Sequence, residues 1–217
     1  MAESHALAAH AAHPAHIDTS TGLDSRKMAF WIFIGSECLL FGSLIATYMA
    51  YKGKSLVGPY PHEGGWTNRA GQVVDHGIFN IPLTSFSTFI LLMSSVMMVL
   101  ALSAVQRGDR KGSILWLAMT AFGGSIFLGC QVYEFAHFYH EGLTLQTNLF
   151  GSSFYLLTGF HGAHVTVGVI YLISLCALAV KGKLGPEKTL NVEIAGLYWH
   201  FVDVIWIVIF PLVYLIR

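Results

Sequence analysis

Charge is what this chain has least of. Only 11% of its 217 residues are Asp, Glu, Lys or Arg, against roughly a quarter in soluble domains. The twelve cations and twelve carboxylates cancel, so no basic field exists to attract nucleic acid and no acidic field to attract a cationic partner. Cysteine is nearly absent too. Cys38, Cys130 and Cys176 sit singly inside apolar runs with no CxxC or other ligand spacing, and each is expected to be a buried small hydrophobe. There is no P-loop, no GxGxxG and no GxSxG elbow, which removes the common nucleotide-binding and hydrolase sites.

What remains is apolar. Hydrophobic residues make up 54% of the chain, more than a soluble core of this size absorbs, whereas a bilayer-spanning helix needs about 20 apolar residues and satisfies its own backbone hydrogen bonds. Apolar runs at 28–51, 82–105, 113–138, 152–180 and 194–216 predict an all-α, polytopic bundle of five transmembrane helices. The three later connections are short, so helices two to five are expected to be antiparallel neighbours. A Gly- and Pro-rich loop, 52–80, is the one connection long enough to cover another surface.

The expected domain division is a flexible cytoplasmic tail over 1–27 and a membrane domain over 28–217. The tail lacks the apolar stretch of a signal peptide. Its His5, His10, His13 and His16 are irregularly spaced and read as part of a solvated segment rather than a metal site. Eight cations (Arg26, Lys27, Arg107, Arg110, Lys111, Lys181, Lys183, Lys188) fall on one side of the spans. Four (Lys52, Lys54, Arg69, Arg217) fall on the other. That asymmetry predicts a cytoplasmic N-terminus and a periplasmic or extracellular C-terminus. Tyr48, Tyr51, Trp116, Tyr139 and Tyr214 are placed to mark the membrane interfaces.

Ionisable side chains inside the spans are the informative ones, since each costs about 2.5–3.5 kcal/mol on insertion scales unless paired or hydrated. Glu37 lies about ten residues into the first run with no cation in the same run. A carboxyl stranded there is expected to be neutral, either exchanging protons near a pathway or joining two helices. His161 and His164 are three apart, as are His200 and Asp203, so each pair shares a helical face turned into the bundle. Together these four suggest a histidine–carboxylate hydrogen-bond network tying helix five to helix four. A metal or haem site is the rival reading, with Asp203 orienting a histidine, but no thiolate supports it. Gln131, Glu134 and His137, near the outer end of helix three, suit lipid headgroups or helix–helix hydrogen bonds. Gly123, Gly124, Gly129, Gly159, Gly162 and Gly168 permit close helix approach.

Four segments add a resemblance: FWIFIGSECLLF (30–41), GCQVYEFAHF (129–138), GSSFYLLTGFHGAHVTVG (151–168) and LYWHFVDVIWI (197–207). Together they resemble subunit III of haem-copper respiratory oxidases, in the five-helix bacterial form that lacks the first two helices of larger members. The resemblance implies a bacterial plasma-membrane protein that binds no haem, copper or other metal itself. It implies packing against subunit I, association with subunit II and possibly a small subunit IV, and haem and copper in those partners. It further implies phospholipids held in a cleft, although the missing helices form one arm of that cleft, and a role in sustaining proton uptake. Glu37 matches the family's carbodiimide-reactive buried carboxyl, and Glu134, His161, His164, His200 and Asp203 match its polar intramembrane positions.

The SECLLF, GCQVYEF and His140–Gly142 contexts resemble the cytochrome c oxidase branch, aa3 or caa3 type, whose whole complex reduces oxygen to water and pumps protons. The quinol oxidase branch is the alternative, and related nitric oxide reductase subunits a lesser one. A free-standing proton-coupled transporter is disfavoured by the lack of an inverted repeat.

Overall fold

The computed structural model describes residues 24–216, so the four tail histidines and Arg217 lie outside the described residues. Five helices carry the chain: α1 Ser25–Tyr51, α2 Ile81–Gln106, α3 Arg110–His140, α4 Leu149–Val180 and α5 Thr189–Phe210. A 3-10 turn, Pro186–Lys188, leads into α5, and a π turn, Pro211–Leu215, extends it. All five are long and apolar enough to cross a membrane. The chain is an all-α polytopic bundle of five membrane-spanning helices, as the apolar runs predict.

The helices start earlier than the apolar runs because polar caps, not hydropathy, set their first turns. Four of them begin after an Asp or Asn that accepts from a backbone N–H of the first turn. The pairs are Asp24 with Arg26 N at 2.8 Å, Asn80 with Leu83 N at 3.2 Å, Asp109 with Gly112 N at 3.0 Å and Asn148 with Gly151 N at 2.6 Å. Helices α2, α3 and α4 each end two residues before a glycine with positive φ: Gly108, Gly142 and Gly182. The following N–H in each case reaches back to an orphan carbonyl of the last turn, which turns the chain sharply into the next, antiparallel helix.

Helices α2, α3, α4 and α5 form a closed four-helix ring, with α2 on α3, α3 on α4, α4 on α5 and α5 back on α2. Helix α1 lies outside this ring against α4 and α5. Close approach inside the ring depends on particular glycines. A Cβ on Gly124 would lie 2.4 Å from the Trp199 ring, one on Gly168 2.9 Å from the same ring, one on Gly123 2.9 Å from Ser94 Cβ, and one on Gly162 2.5 Å from Gln131 Oε1. Gly129 and Gly159, expected to serve the same purpose, have nothing within 4 Å of that position; they face outward.

Two further expectations are corrected, and one connection gains detail. Tyr48 and Tyr214 are buried in the bundle rather than set at its lipid-facing edge. Cys38 is exposed, and Cys130 and Cys176 are only half-buried. The 52–80 loop contains a short antiparallel hairpin, β1 Trp66–Thr67 with β2 Val73–Val74. Trp66 is buried and donates through Nε1 to His76 O at 3.2 Å.

Helix α1 is held differently from the rest. Only 6% of its apolar window is buried, against 33–50% in the other four. Polar contacts pin it at both ends. Lys27 pairs with Glu193 of α5, and Lys52 Nζ donates to the carbonyls of Leu212 (3.0 Å) and Ile216 (2.6 Å) at the end of the chain. Arg110 does the equivalent at the opposite end of α4, donating to the carbonyls of Ala179 and Val180. Cations at helix C-termini satisfy carbonyls that have no partner in their own helix.

Candidate functional site

Ile34, Phe41 and Tyr48 are the buried residues of α1, a seven-residue repeat that marks its contact face. Glu37 lies one turn from both Ile34 and Phe41, on the edge of that stripe. Its Oε2 meets His164 Nε2 of α4 at 3.1 Å, and the two side chains keep 15% and 17% exposure. The opposite ring nitrogen, Nδ1, lies 2.8 Å from Phe160 O. A carbonyl only accepts, so Nδ1 carries a proton, and the Nε2 to Oε2 contact then needs one more proton, on either the ring or the carboxyl. The contact at the margin of the bundle is complete with that one proton in place. Tyr198 OH of α5 donates to His164 O at 3.1 Å, and the Phe41 ring stands edge-on to the imidazole at 5.0 Å. Of the two expectations for Glu37, this contact agrees with the joining of two helices, and it supplies the partner from α4, which reading α1 alone does not reveal.

The expected single network of His161, His164, His200 and Asp203 is not formed. His164 turns to α1. His161 is fully buried with neither ring nitrogen hydrogen-bonded, and it behaves as an aromatic ring, stacked on Trp206 at 4.7 Å and met edge-on by Phe127 at 5.8 Å. His200 Nδ1 bonds Ser95 Oγ of α2 at 2.6 Å, so it ties α5 to α2 rather than to α4. Asp203 is 2% exposed and faces the same Ser95 hydroxyl, but neither carboxylate oxygen completes a hydrogen bond of ordinary geometry. The pairs diverge because successive polar residues on one face still fan across the two or three helices that surround it.

Helix α3 supplies the second polar cluster. Gln131 Nε2 donates to Thr158 O of α4 at 2.8 Å. Glu134, 5% exposed, holds Thr84 Oγ1 of α2 at 2.9 Å on one oxygen and the Tyr214 hydroxyl at 2.9 Å on the other. Thr84 Oγ1 also lies 3.0 Å from Asn80 O, an acceptor, and one hydroxyl proton cannot serve both. All three contacts are complete when Glu134 carries a proton on the oxygen facing Thr84. Glu134 thereby joins α2, α3 and the final π turn. His137, three residues on, is exposed and makes no helix–helix hydrogen bond among those described.

Sequence reasoning missed the partners on α2. Thr84, Thr88, Ser94 and Ser95 face α3 and α5, with Thr88 Oγ1 accepting from Trp206 Nε1 at 2.9 Å and Ser94 Oγ from Trp199 Nε1 at 3.0 Å. Their signal was a hydroxyl stripe at helical spacing inside the most apolar span. Among the described residues no group of three or more His, Cys, Asp or Glu is placed to hold a metal ion.

Residues 8–216 match the family model described as "Cytochrome c oxidase subunit III". The chain belongs to that family. The polar groups above are accordingly the intramembrane groups of a multi-pass membrane protein of the oxidase subunit III family. "Quinol oxidase subunit 3" of Bacillus subtilis strain 168 is 38% identical over 188 residues, 87% of this chain and 85% of its own length. "Cytochrome c oxidase subunit 3" of Bacillus sp. strain PS3 is 36% identical over 204 residues, 93% and 92% of the two chains. "Probable quinol oxidase subunit 3" of Staphylococcus saprophyticus is 36% identical over 190 residues, 88% of each.

Proposed function

We propose that this chain is subunit III of a bacterial quinol oxidase, assembled in the plasma membrane with its N-terminus in the cytoplasm. The observation that carries the choice of donor is the 38% identity to a quinol oxidase subunit 3. It favours the quinol branch over the cytochrome c branch that the SECLLF and GCQVYEF contexts resemble. Cytochrome c oxidase is the second reading, supported by 36% identity spanning 93% of the chain.

In this reading haem and copper reside in partner subunits, and the chain's own contribution is positional. Helix α1 carries the docking face for subunit I. Gly35 and Gly42, one heptad apart, have nothing within 4 Å of a Cβ, and Ser36, Ser43, Ala46 and Thr47 are exposed beside them. Small residues let a partner helix approach closely, which is what drives helix association in lipid. The Glu37–His164 pair sits on the margin of that face and supports proton uptake by the partner. Subunit II, a small subunit IV and structural phospholipids complete the assembly.

The test is purification through a tag on this chain in mild detergent, followed by a visible spectrum and by assays with quinol and with reduced cytochrome c. Haem absorbance with quinol oxidation is the expected result. Cytochrome c oxidation in the same preparation moves the chain to the second reading, and a colourless solitary chain overturns both.

A further inference from the structure

At the outer end of the α3–α4 seam a groove of about 490 Å³ opens between Phe135, Tyr139, Leu143, Leu145 and Tyr155, with Arg69 at its mouth. We infer that this groove binds the headgroup and upper acyl chain of an anionic phospholipid, with its phosphate on the Arg69 guanidinium. The inference deepens the lipid contact proposed above by giving it a site, and it requires only the membrane fold.

Arg69 comes from the tip of the hairpin, and the fold fixes it there. Asn68 Oδ1 accepts from Ala70 N at 3.1 Å and Gln72 N at 2.9 Å, and Gly71 takes a positive φ of 79° to close the turn. The hairpin tip rests against the α3–α4 turn, where a Cβ on Gly142 would stand 3.6 Å from Arg69 N. From that position the guanidinium lies over the Tyr139 ring, 4.5 Å from its centroid. An arginine stacked on an aromatic face is held flat with its N–H fork free. No carboxylate takes that fork among the described residues: the ion pairs are Arg26–Asp24, Lys27–Glu193 and His164–Glu37, and Glu141 in the adjoining turn does not join them.

The groove below it has the polarity of a lipid's own gradient. Tyr139 lies one residue before the end of α3, at headgroup level, whereas Phe135 lies one turn deeper and Tyr155 enters from α4. Tyr155 OH is already committed to Leu143 O at 3.1 Å, so the wall it presents is its ring. A cationic fork over an apolar, aromatic-walled channel fits a phosphate joined to an acyl chain, and an anionic phospholipid satisfies the unpaired charge that a neutral lipid leaves in place.

A second groove of about 490 Å³ on the same seam, near the other end, is lined by Phe122, Ile173, Cys176 and Lys181. There Arg110 spends its donors on the carbonyls of Ala179 and Val180, so no free guanidinium fork accompanies it, and it carries no part of the proposal.

The experiment is native mass spectrometry of the full purified chain with equal amounts of phosphatidylglycerol and phosphatidylcholine, which uses no turnover and so stands or falls apart from the oxidase reading. Wild type is expected to retain phosphatidylglycerol about fivefold over phosphatidylcholine, the order of preference one cation near a membrane surface supplies. Arg69→Ala is expected to abolish the preference, Tyr139→Leu to weaken it by freeing the guanidinium, and Lys54→Ala, an exposed cation of the same loop outside the groove, to leave it intact. A photoreactive residue at Leu145 in the assembled membrane complex is expected to label lipid. Equal retention of the two lipids by wild type, an unchanged preference in Arg69→Ala with native thermal stability, or capture of a protein chain from position 145 would overturn the site.

Discussion

Glu37 and His164, 3.1 Å apart, form the one side-chain hydrogen bond between α1 and α4 within the span among the described residues. Since α1 has little buried surface, this contact and the two terminal lysine contacts add to the Ile34, Phe41 and Tyr48 stripe in fixing its register. Interhelical hydrogen bonds in membrane proteins average about 0.6 kcal/mol and reach about 1.7. A double-mutant cycle with Glu37→Leu and His164→Leu should return a coupling energy of about 1 kcal/mol in that range, read by thermal unfolding in detergent. Glu37→Gln should stay near wild type, because its amide donates to Nε2. The same variant removes the exchangeable proton, so if the pair supports proton uptake, sustained turnover of the intact oxidase should fall while assembly is unchanged. Full turnover in Glu37→Gln would leave the pair a structural clasp.

The proton count at Glu134 makes a sharper demand. Glutamine at this position places N–H toward Thr84 and a carbonyl toward Tyr214, reproducing all three hydrogen bonds. Glu134→Gln should therefore be nearly neutral in stability. Glu134→Leu should cost about 1–3 kcal/mol, since it strands the buried Tyr214 hydroxyl. Chemical unfolding monitored by tryptophan fluorescence would separate the two; a large loss in the glutamine variant would mean that the carboxyl is ionised.

Glycines in one helix should divide by what faces them. Gly124→Ala drives a methyl into the Trp199 ring and Val169, which stand 2.4 and 2.8 Å from its Cβ position. Overpacking of this kind costs about 1–3 kcal/mol. Gly129→Ala, five residues along the same helix and open to 4 Å, should be within about 0.5 kcal/mol of wild type. Equal melting temperatures for both variants would contradict the packing described for α3 and α5.

Asp24 ties the start of α1 to pH. The side-chain hydrogen bond from Arg26 holds its carboxyl below the ordinary value of 3.8. A group whose folded-state value is depressed contributes stability above its unfolded value, and that contribution is lost as pH falls through the lower, folded one. Amide exchange at residues 26–28 should be slow above pH 3.8, the unfolded value, and should accelerate as the carboxyl protonates below it. Asp24→Asn keeps the cap, and its exchange should lose this titration once the intrinsic pH dependence of exchange is removed.

Hydropathy makes the five spans legible because lipid imposes one strong rule on any segment that crosses it. It mislocates their starts by one to five residues, since the first turns of four of them follow an Asp or Asn cap and that of α5 follows the 3-10 turn Pro186–Lys188. The candidate site was less legible. That Glu37, Glu134, His161, His164, His200 and Asp203 turn into the protein follows from the cost of charge in lipid. Which partner each one finds does not, because pairing depends on how α1, α2 and α4 are arranged around α5. His161 shows the limit most plainly. Its spacing suggests a polar partner for the imidazole, while its surroundings are Trp206, Phe127 and Phe41, and the ring packs as an aromatic.

The central claim is that the chain docks into an oxidase through the sparsely packed outer face of α1. A photo-crosslinking residue placed at Gly42, with Val132 on the exposed face of α3 as its counterpart, tests this in native membranes. The account predicts a crosslink from position 42 to the haem-bearing subunit and none to that subunit from position 132. Labelling of lipid alone from position 42, or capture of the haem-bearing subunit from position 132, would contradict it.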